Sequence, residues 1–419
     1  MRDGLTFLIA AKRCETADLQ QLVITSDLVQ TTAQTIHELQ RERGLSSLYL
    51  GAAGTHPMPE LVAQTSASQV AEDNLRRCLE RLDLDPLRSG NGARLYNRIA
   101  YVLHGLEDLP GLRVAVAARA LDVPQATAAY VRLVAGLLSV VFEAADTAAD
   151  PDVSRRLVGL FNFMQGKELA GQERATGGGL YASGVADQTA QQRLVHLIES
   201  QERCFEVFLD FASDTAKSLW AEALRSSPLA DLERLRRVLC TTAHGNPMNP
   251  AMGPVWFEVC SRRIDDMRLI EKELTAELLT LSTSKMAQAL QEVVQLEKWQ
   301  DNPPPQPNNK AIFEPGDPAW HTAPTQAPTS QLDRSILALV QDQARRLQSV
   351  HEELENVRTS LHERKLIERA KGLLMAHRHL SEEEAHKTMR QMAMNQKRRL
   401  IDVAKAVLTM AEVLPTQAP

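Results

Sequence analysis

The stretch HELQRERGLSSLYLGAAG, His37 to Gly54, decides how this chain reads. Ile36, Leu39, Arg43, Ser46 and Leu50 recur at alternating steps of three and four, the spacing of one helical face. An arginine therefore sits on an apolar seam. Arg41 lies two residues earlier, about 200° round the helix, and does not share that face. The pattern predicts a helical bundle that turns a guanidinium toward its packing partners.

The pattern recurs. Leu157, Leu160, Met164, Gly171 and Arg174 lie on one face, with Gly171 permitting close helix approach. LQRERGLSSL echoes LAGQERATGGGL (Leu169 to Leu180), each placing Glu-Arg ahead of small residues, as duplicated bundles would. The glycine run of ATGGGLYASG lacks the Gly-Lys-Ser/Thr of a phosphate loop and predicts a helix end. In PLADLERLRRVLC, Leu229, Leu232, Arg236 and Leu239 form a third stripe.

A buried guanidinium without an anion costs several kcal/mol, so each of these arginines needs a partner. A carboxylate on a neighbouring helix is one; Glu38, Glu143, Glu168 and Glu173 are available. A small planar oxyanion such as nitrate, nitrite or a carboxylate is the other, because its in-plane lone pairs match the guanidinium fork. One monovalent anion cannot neutralise three arginines, so some carboxylate pairing is expected in either case.

Outward from these seams the pattern is helical from about residue 11 to 298, punctuated by PLRSG, DLPGL, SSPLA and GNPMNPAMGP. Composition agrees: 419 residues, 44% hydrophobic, 24% charged and only 4% aromatic favour helices over sandwiches or barrels. The expected fold class is all-α, with two four-helix bundles making a sensor-sized unit over 1–299. Residues 300–332, rich in Pro, Asn, Thr and Gln, read as a linker. The third unit is 333–412. It opens with a heptad-like stripe (Ile336, Leu339, Val340, Leu347, Val350, Leu354, Val357, Leu361), a coiled coil that predicts a homodimer or a helix folded back on its own chain. Three short helices follow.

The five cysteines, Cys14, Cys78, Cys204, Cys240 and Cys260, form no Cys-x-x-Cys and point to a reducing compartment. MRDGLTFLIAAKRCE lacks a signal-peptide h-region, and LVAGLLSVVF is half the ~20 residues a bilayer needs, so a cytoplasmic protein with no membrane partner is expected. His377, His379 and His386 do not assemble a metal set, and no catalytic motif occurs; neither an enzyme nor a cofactor or metal is expected.

Net charge is −6, yet between Leu361 and Lys405 eleven lysines and arginines face six acidic residues. A local basic segment on an acidic chain suits a polyanion, though a solvated helix surface reads the same way. Leu366, Ala370, Leu373, Leu374, Ala385, Met389, Ala393, Leu400 and Ala404 are the expected core of this unit. No Phe, Tyr or Trp lies between Leu361 and Pro419, so base stacking on aromatics is excluded there.

HELQRERGLSSLYLGAAG, GKELAGQERATGGGLYASG and GPVWFEVCSRRIDDMRLIEKEL together resemble the NIT domain, a nitrate- and nitrite-sensing module, over roughly the first 300 residues. The resemblance implies two four-helix bundles with nitrate or nitrite held between them by arginines. On the matched motifs it carries the ligand role to Arg43 and Arg174. Arg236 is added on its seam position alone and Arg41 on its place in the first motif. Trp256 and Arg263 fall in the third motif and are read as structural, at the start of a long output helix running to Lys298.

LIERAKGLLMAHRHLSEEEAHKTMRQMAMNQKRRLIDVAKAVL resembles the ANTAR domain, an RNA-binding output module. It implies binding of a leader-RNA stem-loop that prevents formation of a transcription terminator. The exposed cations expected to bind RNA are Lys365, Lys371, Arg390, Lys397 and Arg398, then Arg369 and Arg399. Three short helices also allow a DNA-binding helix-turn-helix, and the whole chain allows a helical scaffold acting through protein–protein contacts.

Overall fold

The computed structural model describes residues 4–51, 58–82, 92–148, 150–226, 229–301, 366–367, 370–371, 373–374, 382–396 and 399–413. Among these there are eleven helices and no strand, only an isolated bridge between Val185 and Pro247. The all-α expectation holds. The helices are α1 (Gly4–Gly51), α2 (Met58–Leu79), α3 (Gly92–Ala117), α4 (Val123–Thr147), α5 (Pro151–Ser183), α6 (Gln188–Phe211), α7 (Asp214–Ser226), α8 (Leu229–Thr241), α9 (Met252–Asp301), α10 (Glu382–Gln396) and α11 (Leu400–Val413).

Aspartates set three helix starts. Asp122, Asp150 and Asp187 cap α4, α5 and α6 by accepting from the backbone N–H of Gln125, Val153 and Ala190. Each satisfies a donor that the first turn leaves orphaned.

One expected break is not a break. The Pro110 of DLPGL lies inside α3. Leu106, Leu109 and Val116 are all buried on either side of it, so the apolar face continues and outweighs the lost backbone bond. ATGGGLYASG does end a helix, as expected: α5 closes at Ser183 with Gly184 as a left-handed cap at φ 70°, while the glycine run 177–179 still lies inside the helix. The run is a packing feature: a Cβ on Gly177 would lie 2.4 Å from Trp256 Cε2.

The long helices α1 and α9 run antiparallel. Leu8 and Ile9 pack with Leu296, Lys12 bonds Glu292, Ser26 bonds Ser282, and Gln34 accepts from Arg268. α1 also packs on α2 and α4, and α5 packs on α4, α6 and α9. One core joins residues of α1 to α7 and α9; a second, smaller core gathers the end of α5, the start of α6, α8 and the start of α9 around Trp256. α4 is long and apolar enough to cross a membrane, and Val134, Leu137, Val141 and Ala144 on it are fully buried in the main core.

In the C-terminal unit Ala370, Met389, Ala393, Val403, Ala404 and Val407 form a core, with Leu374 and Leu400 packed against it. The linker beyond Asp301 and the heptad stripe lie outside the described residues.

Candidate functional site

Arg43 and Arg174 meet across the α1–α5 crossing. Each reaches over a glycine of the other helix. A Cβ on Gly171 would lie 2.8 Å from Arg43 Nη2, and one on Gly44 would lie 3.1 Å from Arg174 Nη2. A side chain at either position would press on the end of a guanidinium, so bare backbone here lets both reach across. The small residues beside the two Glu-Arg motifs thus have a steric cause.

The two arginines are not equally satisfied. Arg43, 4% exposed, is held by Glu168: Nη1 donates to Oε1 at 2.5 Å and Nη2 to Oε2 at 3.2 Å. Glu168 also accepts from Gln40 Nε2 at 2.8 Å and Gln172 Nε2 at 3.0 Å. Arg174 donates Nη1 to Ser261 Oγ at 2.8 Å and stacks over the Phe257 ring at 4.6 Å, both on α9. No carboxylate among the described residues makes an ion pair with it. Burial, and then the neighbouring charge of Arg43, push the Arg174 pKa down. This is the signature of a desolvated cation beside another cation.

Arg236 is placed differently from its expected ligand role. It is fully paired: Nε and Nη2 donate to the two oxygens of Glu173, each at 2.7 Å, and Nη1 to Glu233 at 2.7 Å. Burial alone would lower its pKa, but bonding and charge pairing with Glu173 reverse this and raise it. Glu173 precedes Arg174 and points away from it toward α8, so Arg236 serves the second core. Arg263 joins that pair, 3.6 Å from Glu173, and donates to Gln201 Oε1 at 3.0 Å. Arg41 is exposed on the far side of α1. Trp256 is fully buried and donates Nε1 to the Arg174 carbonyl at 2.9 Å, seated against Gly177. The third motif therefore braces the Arg174 turn of α5.

A buried polar layer that the seam analysis missed adjoins the site. The α5 residue Lys167, wholly buried, pairs with Glu271 on α9, which also takes Arg268 Nη1 at 2.8 Å. Arg268 reaches Gln34, whose amide donates to Glu38 at 2.5 Å; Glu38 in turn accepts from Gln64 at 2.7 Å. Lys167 immediately precedes Glu168, and its place between Met164 and Gly171 on the same three- and four-residue seam was the available signal.

Of the expected RNA-binding cations, Arg390 and Arg399 are exposed, with Arg399 3.9 Å from Asp402. Lys371 is only 7% exposed, against the expectation of a free surface cation: its helix turn faces the small core. Lys365, Arg369, Lys397 and Arg398 lie outside the described residues. Arg390 and His386 on α10 line a groove shared with Glu199, Glu202 and Glu206 on α6.

Residues 34–279 match the family described as nitrate and nitrite sensing (NIT), and residues 355–408 match the ANTAR domain. The chain is 33% identical over 400 residues to the nitrate regulatory protein of Klebsiella oxytoca, covering 95% of this chain and 93% of that one. Its fold is similar to the solved structure of the NasR transcription antiterminator, with a TM-score of 0.61 at 30% identity over 97% of this chain and 99% of the other. With both domains matched, in this order and nearly end to end, the chain belongs to the NIT–ANTAR family of nitrate-responsive transcription antiterminators.

Proposed function

We propose that nitrate or nitrite binds between Arg43 and Arg174 at the α1–α5 crossing, and that occupancy frees the C-terminal unit to bind a leader-RNA stem-loop. The observation carrying this is Arg174: a half-buried guanidinium, beside a second one, with no carboxylate partner among the described residues. A planar monovalent anion supplies the one missing charge and accepts from both forks. Arg41 and Arg236 are left out of the site, the first by direction and the second by its carboxylates.

Arg174 ties the site to the output helix, because its present partners, Ser261 and Phe257, both lie on α9. An anion drawing Arg174 toward Arg43 weakens that hold, and it shifts the equilibrium only by its differential affinity for the two states. Arg390 lines a groove with Glu199, Glu202, Glu206 and Arg203 of α6, and this mostly acidic lining competes with RNA phosphates for that cation. Arg390 and Arg399, with Lys365, Arg369, Lys397 and Arg398, form the RNA surface, and the heptad stripe pairs two copies. Both partners of the switch, anion and nascent RNA, place the protein in the cytoplasm.

The test is fluorescence anisotropy of a labelled leader hairpin with the full chain, with and without nitrate. RNA affinity rises with nitrate and falls steeply with salt. Equal affinity with and without nitrate would overturn the coupling. Tighter binding to duplex DNA of the same sequence would overturn the RNA assignment.

A further inference from the structure

Arg43 is already occupied. Its fork holds Glu168 in two bonds, and Gln40 and Gln172 anchor the same carboxylate from α1 and from the next turn of α5. A carboxylate is itself a planar oxyanion with in-plane lone pairs, so Glu168 offers Arg43 the same contacts that nitrate would. The two also compete for charge. Arg43 and Arg174 carry two positive charges, and Glu168 cancels one of them.

We propose that Glu168 is a built-in competitor of the anion, a residue that lowers nitrate affinity by occupying the Arg43 fork through its own side chain. This rests on the reading of Arg43 and Arg174 as the anion site. The competitor is tethered, so its effective concentration at Arg43 is constant, and it sets the nitrate concentration at which the site fills. The Gln40 and Gln172 amides make it stronger, because they keep the carboxylate aimed at Arg43 when no guest is present.

The experiment is calorimetric titration of sodium nitrate, and separately sodium acetate, into the full chain and into Glu168→Gln. The amide keeps the shape and one acceptor but removes the charge. Nitrate binds the variant at least tenfold more tightly than the parent, and acetate gains in the same direction, because Glu168 opposes both anions alike. Nitrate binding to the variant alone would mean that Glu168 closes the site rather than setting its affinity, and would overturn both the proposal and the receptor reading. If the parent binds nitrate and a folded variant binds it equally or more weakly, Glu168 positions Arg43 rather than competing for it; the proposal falls and the receptor reading stands. If neither binds nitrate, both fall. Should Glu168→Gln not fold, Gln172→Ala removes one anchor from a half-buried helix position; a several-fold gain in nitrate affinity supports the proposal, and no gain or a loss overturns it.

Discussion

Replacing Arg174 with methionine is expected to make the anion-free protein more stable and insensitive to nitrate. The losses are small. The Nη1 bond to Ser261 at 2.8 Å contributes about 1 kcal/mol. The stacking over Phe257 at 4.6 Å contributes about as much, and a thioether against the same ring recovers part of it. The relief is larger. A mostly desolvated guanidinium with no carboxylate partner among the described residues, beside Arg43, carries a penalty of several kcal/mol. Exchange of buried ionic groups for apolar side chains of similar volume is commonly neutral or stabilising by about 1–4 kcal/mol. The balance is a gain of roughly 1–2 kcal/mol by those magnitudes. Urea unfolding in nitrate-free, low-chloride buffer measures it. The same titration with nitrate at about one hundred times its Kd should stabilise the parent by ~2.7 kcal/mol and the variant not at all. A variant less stable than the parent without nitrate would show that Arg174 is not an uncompensated charge. A variant that still gains from nitrate would remove Arg174 from the site.

Arg236→Met leaves the buried Glu173 with the Gln201 amide at 2.7 Å and Arg263 at 3.6 Å as its remaining partners; stability falls by about 3 kcal/mol while the nitrate-induced shift in the urea midpoint persists, and loss of that shift in a folded variant would return Arg236 to the ligand set. Gly177→Ala places a Cβ 2.4–2.7 Å from three ring atoms of the fully buried Trp256, costing about 1–3 kcal/mol or more by overpacking, and near-UV circular dichroism should report the displaced indole. His37 is buried with Nδ1 unpartnered, and burial, then the charges of Lys167 and Arg268, lower its pKa from 6.5 to about 2. The unfolded chain therefore takes up a proton below pH 6.5 that the folded protein refuses, and stability falls as pH drops, by roughly 1.4 kcal/mol between pH 7.5 and 5.5. His37→Gln should remove that part of the acid sensitivity, measured as the difference in urea midpoint at the two pH values.

Much of the fold was legible because helical periodicity is local. The three- and four-residue steps at Ile36, Leu39 and Arg43 predicted a buried arginine, and Arg43 is 4% exposed; the same steps predicted that Arg41 would face away, and it is exposed. Glu168 and Glu173 were among the four carboxylates available to the seam arginines, and both are used. Breakers were less legible. Pro110 looks like a helix end when read by propensity, but a continuous apolar face across α3 decided otherwise; ATGGGLYASG does end α5, at Gly184, and its earlier glycines stay helical where the indole of Trp256 needs the missing Cβ of Gly177. Lys371 was misread because its charge was visible and its helix's orientation against the small core was not.

The amino-acid order alone determined that helices form, which face of each is apolar, and that three arginines stand on apolar seams. Those properties depend on neighbours within one or two turns. Tertiary structure decided which of the arginines is satisfied. Glu168 lies 125 residues from Arg43 and Glu173 lies 63 from Arg236, so no periodicity connects them. Only the crossing of α1 over α5 at Gly44 and Gly171 brings Arg43 and Arg174 together, and only the approach of α8 commits Glu173 to Arg236. With Glu168 and Glu173 so committed, no carboxylate among the described residues forms an ion pair with Arg174.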